Sequence, residues 1–145
     1  MIDVNKIRKD FPMLQGRKMQ GHDLIYFDNA ATTFKPQSVI DAVTYYYTNL
    51  STNAHRGDYE LSFYVDQAYD ACRKAAAKFI NALEKEIVFT SGASSSLNQI
   101  AYGYSKFLNK GDVILTGEAE HASSVLPWMK IAEEKGCKIE YVPLN

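Results

Sequence analysis

Three observations in the second half of this chain predict an α/β fold built on a parallel sheet. From Ile87 onward, short apolar runs alternate with helical patterns in the order strand, helix, strand, helix, strand. That order implies parallel strands joined by right-handed crossovers. The segments between the runs repeat apolar residues three and four apart, the spacing of a helix face. Small and polar residues collect directly after the apolar runs, at the strand ends where such sheets gather their functional groups.

The chain has 145 residues, 46% hydrophobic and 23% charged, which suits one ordinary globular domain with a sizeable core. A formal net charge of -1 offers no basic excess for nucleic acid or an anionic membrane surface. No apolar run is long enough to span a bilayer, and MIDVNKIRKDF has no apolar signal-peptide core, so a cytoplasmic protein is expected. Cys72 and Cys137 make neither a disulfide framework nor a CxxC pair, and His22, His55 and His121 lack metal-ligand spacing. No metal site is expected.

In chain order, Asp3 caps a short helix carrying Val4 and Ile7, which Pro12 ends. Residues 15–23, with Gly16 and Gly21, read as a loop or loose hairpin. Leu24, Ile25, Tyr26 and Phe27 form a strand candidate that stops at the small, polar segment DNAATT. Pro36 fits the first turn of a helix whose face is marked by Val39, Val43, Tyr46 or Tyr47, and Leu50. STNAHRGD (residues 51–58) is a loop, and a second helix is predicted from about Tyr64 to Ile80. Val65, Tyr69, Cys72, Ala76, Phe79 and Ile80 share one face of it, so Cys72 is expected in the core, while Arg73, Lys74 and Lys78 face solvent. Ile87, Val88 and Phe89 read as a buried strand, and Leu97, Ile100, Ala101, Tyr104, Phe107 and Leu108 as the helix after it. Val113, Ile114 and Leu115 form the next strand. The following helix turns Val125, Trp128 or Met129, and Ala132 inward and closes at Gly136. A last strand runs over residues 138–142, with Pro143 ending it and Cys137 packing at its start.

The strand-to-helix turn TSGASSS carries the strongest chemical signal. Free N–H groups and the positive end of the helix dipole meet an anion there, and no bulky side chain blocks the approach. The ordinary alternative is that Ser94 or Ser95 merely caps the helix. Asp28 and Asn29 follow one strand, residues 92–96 a second, and Glu120 and His121 a third, which favours a binding rim over separate accidents. A Walker loop fails for want of a lysine, and the dinucleotide fingerprint fails because only Gly92 is present. A pyridoxal phosphate site asks for a helix N-terminus with hydroxyls and a flat side chain against the ring, roles open to Ser94 and His121. For His121 the ordinary alternative is a histidine at a helix start, bonded to the backbone.

The phrases YFDNAATTFKP, NAHRG, VFTSGASSSLN and GEAEHASSVLPW together resemble the class V aminotransferase-like enzymes, and among them the SufS-type cysteine desulfurases. The similarity runs over residues 10–145. Its most specific parts are Glu120, His121, Pro127 and Trp128, with His55, Arg56 and Gly57. The resemblance implies a fold-type I pyridoxal 5'-phosphate enzyme, normally a homodimer. Residues 1–22 are then an N-terminal arm, and 23–145 the N-terminal part of the cofactor-binding large domain. It implies conversion of L-cysteine to L-alanine, with sulfur passed on as a persulfide to an acceptor protein, for iron–sulfur clusters or other sulfur-containing products. By position, Ala93 and Ser94 bind the cofactor phosphate, and His121 stacks on the pyridine ring and assists proton transfer. Asn29, Ala30 and Ala31 border the substrate pocket. His55 and Arg56 lie near its mouth, close to the dimer partner.

Departures accompany the likeness. The family's phosphate loop is usually Gly-Thr-Thr-Glu, and here it is Gly92, Ala93, Ser94 and Ser95, keeping a hydroxyl at Ser94 and losing one at Ala93. Ala122 replaces a second histidine, and Ser124 an asparagine. The family's Schiff-base lysine and persulfide cysteine match nothing in this sequence. It therefore reads as the N-terminal portion of a larger enzyme, inactive alone. The alternatives are another class V enzyme, such as a selenocysteine lyase, and a non-catalytic dimerising fragment.

Overall fold

The computed structural model describes residues 2–144, and the chain forms two compact units, Met1–Glu84 and Lys85–Asn145.

The first unit opens with helix α1 (Val4–Arg8), capped as expected: Asp3 Oδ1 accepts from Lys6 N at 3.0 Å. Pro12 does not simply stop it but starts a 3-10 turn, Pro12–Leu14. The loose hairpin is real. Strands β1 (Lys18–Met19) and β2 (His22–Asp23) pair antiparallel, Lys18 opposite Asp23 and Met19 opposite His22. Gln20 and Gly21, at φ 52° and 83°, supply the two left-handed residues that such a tight hairpin needs. Residues 24–27 correct the expectation of a strand. The sheets formed among the described residues leave them out, and Ile25 and Phe27 stand 75% and 91% exposed. An alternating apolar run becomes a strand only where another backbone completes its ladder.

Pro36 is the N-cap of helix α2 (Gln37–Tyr45) rather than its first residue. Gln37 N donates to Asp10 O at 2.7 Å, tying the start of α2 to the segment after α1. A π turn, Tyr46–Leu50, continues the helix, closed by Ser51 N donating to Tyr46 O at 2.9 Å. Helix α3 (Glu60–Phe79) starts four residues earlier than the periodicity suggested and buries Ser62, Val65 and Ala77. Its covered stripe runs through Ser62, Val65, Tyr69, Arg73, Ala76 and Ala77. Cys72 lies at the edge of that stripe and is exposed, which corrects its assignment to the core.

In the second unit, residues 87–89 bury Ile87 but expose Val88 and lie outside the sheets formed among the described residues, so the first of the three predicted strands is absent there. Helix α4 (Ala93–Tyr104) continues into a 3-10 turn, Ser105–Phe107. Strand β3 (Val113–Gly117), helix α5 (Ala122–Lys135) and strand β4 (Lys138–Val142) then form the expected crossover. The two strands are parallel, with Val113 beside Lys138 and Gly117 beside Val142. Gly136 ends α5 at φ 70°, donating its N–H to Ala132 O. The core lies between α4 and α5, where Ala101, Ile131 and Ala132 are buried and the Tyr104 and Trp128 rings meet edge-on at 6.5 Å. Ile131 is 1% exposed. Ile131→Val is therefore expected to cost about 1 kcal/mol, read as a lower midpoint in urea unfolding.

Gly111 N donates to Gly136 O at 3.0 Å, so the segment after α4 and the C-terminus of α5 share one end of the unit. Both helices run against the strands. Their N-termini accordingly lie at the carboxyl end of β3, the end where open α/β sheets bind ligands.

Candidate functional site

The turn before α4 is built from hydroxyls and one glycine. Thr90 Oγ1 lies 2.7 Å from Ser96 Oγ and 3.1 Å from Gly92 O, holding the turn against the first helical residues. Gly92 is the N-cap at φ 155° and ψ 174°, a conformation that suits glycine. Neither Ser94 nor Ser95 caps the helix, because no side chain does. Ser96 N makes the first helical bond, to Gly92 O at 3.1 Å. The N–H groups of Ala93, Ser94 and Ser95 thus have no intrahelical acceptor. Ala93 and Ser94 are exposed, and among the described residues the Ser94 hydroxyl makes no hydrogen bond. These groups fit an anion with several acceptor oxygens, such as a phosphate.

His121 is the N-cap of α5. Its Nδ1 accepts from Ser123 N at 3.2 Å and lies 2.8 Å from Ser123 Oγ. The backbone-bonded role is therefore present, and it leaves the ring exposed. A neutral ring whose Nδ1 accepts carries its proton on Nε2, and the two Ser123 contacts hold that ring at one angle. Pro127, buried within α5, lacks the N–H that would bond the Ser123 carbonyl. A flat ring and an anion cradle thus stand at helix N-termini on the same end of the second unit.

The first unit holds the other predicted residues. Asn29, Ala30 and Ala31 sit in a turn where Ala31 N and Thr32 N both donate to Asp28 O at 3.2 Å. The Tyr26 hydroxyl braces the turn, 3.0 Å from Asp28 O and 2.7 Å from Thr32 O, and its ring stacks on Phe34 at 4.3 Å. Asn29 lines a cavity of about 270 Å³ with Arg8, Leu14, Leu24, Tyr26 and Phe34, whereas Ala30 and Ala31 do not. His55 lies at φ 60°, a left-handed conformation costing on the order of 1 kcal/mol for a residue with a Cβ. Its N–H donates to Asp66 Oδ1 at 2.5 Å, its Nδ1 is 3.4 Å from the same oxygen, and its ring meets Tyr69 edge-on at 5.4 Å. Arg56 is exposed. Gly57 has no room for a side chain: a Cβ there would run into the Tyr59 ring and come 2.8 Å from Ser62 Cβ. Sequence reasoning missed Asp66, which lies six residues into α3 and eleven residues beyond His55, whose loop it holds. Among the described residues no cluster of His, Cys, Asp and Glu could hold a metal, and no helix is long and apolar enough to cross a membrane.

Comparison with known proteins fits this geometry. The family profile Aminotransferase class-V matches residues 25–145. A probable cysteine desulfurase of Vibrio cholerae is 40% identical over all of this chain and 36% of its own length. One from Ureaplasma parvum is 46% identical over 94% of this chain and 33% of its own. The apo structure of a cysteine desulfurase from Thermococcus onnurineus NA1 superposes with a TM-score of 0.87 at 39% identity, covering 98% of this chain and 34% of that one. That of the cysteine desulfurase CsdA from Escherichia coli gives 0.80 at 32% identity, over 100% of this chain and 35% of that one. The chain thus spans about a third of the length of these relatives. Over that third, the fold-type I expectation holds. With most of its length matched by the family profile, the chain belongs to the class V aminotransferase family.

Proposed function

We propose that this chain supplies the phosphate cradle and the ring-stacking histidine of a pyridoxal 5'-phosphate-dependent cysteine desulfurase of the SufS type. The observation that carries this reading is the unused first turn of α4, with the free Ser94 hydroxyl, at the same strand end as the His121 ring. Its relatives' names support cysteine as the substrate. The enzyme so assembled is a cytoplasmic homodimer that releases L-alanine and passes sulfur to an acceptor protein for iron–sulfur clusters. Residues 1–22 form its N-terminal arm, and 23–145 the first part of its large domain.

When bound, the cofactor supplies an electron sink for the bonds around the substrate α-carbon. The residues of this chain bind and orient. Ala93 N and Ser94 N, with Ser94 Oγ, hold the phosphate by hydrogen bonds strengthened by the helix dipole. His121 would lie against the cofactor ring, and its own Nε2–H would be the proton it could transfer. Asn29, Ala30 and Ala31 shape the wall facing the substrate, and His55 and Arg56 its entrance. The lysine that carries the cofactor and the cysteine that takes up sulfur correspond to no residue of this chain, so the chain alone is inactive.

Titrating the chain with pyridoxal 5'-phosphate tests the cradle directly. Ser94→Ala is expected to weaken binding by about tenfold, the loss of one hydrogen bond to a charged group. Pyridoxal without its phosphate should show no difference between the two chains. Borohydride reduction of the mixture should label lysines without preference. One dominant labelled lysine would place the Schiff base within this chain and sink the assignment. Incubating the enzyme that contains this chain with cysteine and with selenocysteine, and measuring alanine, separates the desulfurase from a selenocysteine lyase.

A further inference from the structure

The loop carrying His55, Arg56 and Gly57 is held in place by a residue outside it. Asp66 Oδ1 accepts the His55 N–H at 2.5 Å, and His55 Nδ1 lies 3.4 Å from the same atom. His55 occupies a left-handed conformation at φ 60°, and the carboxylate satisfies its N–H. The negative carboxylate stands close to Nδ1, so its charge favours a proton there over a lone pair. The ring edge rests on Tyr69, one turn along α3, and the Arg73 guanidinium lies over the Tyr69 ring at 5.4 Å. Asp66 keeps only 27% of its side chain exposed, against 54% for His55. The anchor is therefore the more enclosed partner, and the loop the more accessible one.

We infer that Asp66 is a positioning residue: it fixes the backbone and the tautomer of His55 and thereby sets the direction in which the loop presents Arg56 to the substrate entrance. This rests on the proposed desulfurase reading for the last step, and on this chain's geometry alone for the first. Asp66 acts on the loop through His55, so its influence runs through the loop. An asparagine oxygen at position 66 can accept the same backbone N–H and lie beside the same ring nitrogen, whereas alanine can do neither.

The test is nitrogen-detected NMR of the histidine rings, with amide exchange, on the full 145-residue chain as wild type, Asp66→Ala and Asp66→Asn. In Asp66→Ala, His55 is expected to lose its Nδ1–H preference and its amide to exchange at least about tenfold faster. Asp66→Asn should restore both, and the exchange of α3 amides beyond Tyr69 should stay unchanged in either variant. In the enzyme that contains this chain, Asp66→Ala is expected to raise KM for cysteine by about fivefold with kcat within about twofold. A His55 tautomer and amide exchange unaltered in Asp66→Ala would overturn the tether, as would a loss of protection spread over all of α3. An altered loop with kcat and KM both unmoved would overturn its role in presenting Arg56. Absence of any cysteine turnover in the wild type, with the NMR response intact, would sink the desulfurase reading and leave the tether standing.

Discussion

His121→Ala is expected to lower kcat/KM for cysteine by about two orders of magnitude in the proposed enzyme. Two properties are lost together in that variant, and they separate by substitution. As the N-cap of α5, His121 satisfies the Ser123 N–H through Nδ1. Removing that acceptor should cost about 1 kcal/mol of stability. As a flat ring it would, in the proposed enzyme, cover the cofactor and offer the Nε2 proton. His121→Asn keeps a cap acceptor and removes the ring, so stability should stay near wild type while activity falls as far as in alanine. His121→Phe keeps the flat face and removes both nitrogens. It should lose the cap's worth of stability and retain tighter cofactor binding than alanine. Steady-state kinetics beside urea unfolding reads all three. If alanine and asparagine variants both keep most of the activity, His121 is a helix cap and nothing more.

Gly57→Ala is expected to be the most disruptive single methyl in the first unit, costing about 2–3 kcal/mol. The added Cβ would meet the Tyr59 ring and approach Ser62 Cβ and Oγ at 2.8 and 2.9 Å. The Tyr59 ring can swing aside. Ser62 cannot, because it is fully buried on α3 and its hydroxyl donates to Asn53 O at 3.3 Å. Relief must therefore come from moving the loop that holds His55 and Arg56. For a unit of this size the loss corresponds to a melting midpoint lower by on the order of 15 °C. Gly103 gives the opposing control. It lies within α4, and a Cβ there meets nothing within 4 Å. Gly103→Ala should stabilise the chain by about 0.5–1 kcal/mol, through helix propensity alone. Thermal denaturation of the two variants should move in opposite directions, and a neutral Gly57→Ala would mean that the loop is looser than its contacts imply.

What could be read from the sequence was whatever a residue decides locally. Asp3 caps α1, Gly136 stops α5 at positive φ, and the span 138–142 is a strand as expected. The first two rest on a residue acting on its own neighbours, and the strand finds its ladder in β3 beside it. Residues 24–27 and 87–89 failed for the opposite reason. Their apolar runs are suited to strands, but a ladder depends on distant backbone. The start of α3 was misplaced because Ser62, a polar residue, sits at the most buried position of its first turn and interrupts the apolar pattern. The cradle around Gly92 and the ring of His121 were visible because small residues and a histidine stand directly after apolar runs. Asp66 was not, since nothing near it in sequence announces that a left-handed residue eleven positions earlier needs an acceptor.

The π turn at Tyr46–Leu50 has a genetic consequence. Such a turn holds one residue more than the α-helix it interrupts, and each residue of a helix advances the side chains by roughly 100°. Loss of a single codon within it would let an unbroken α-helix run on to Ser51 with no gap to close. The same deletion inside α3 would rotate Val65 and Ala77 out of register with each other, and with them the anchor of the His55 loop. Length variation in this half of the lineage should therefore accumulate at the widened turn and be purged from the helix that follows.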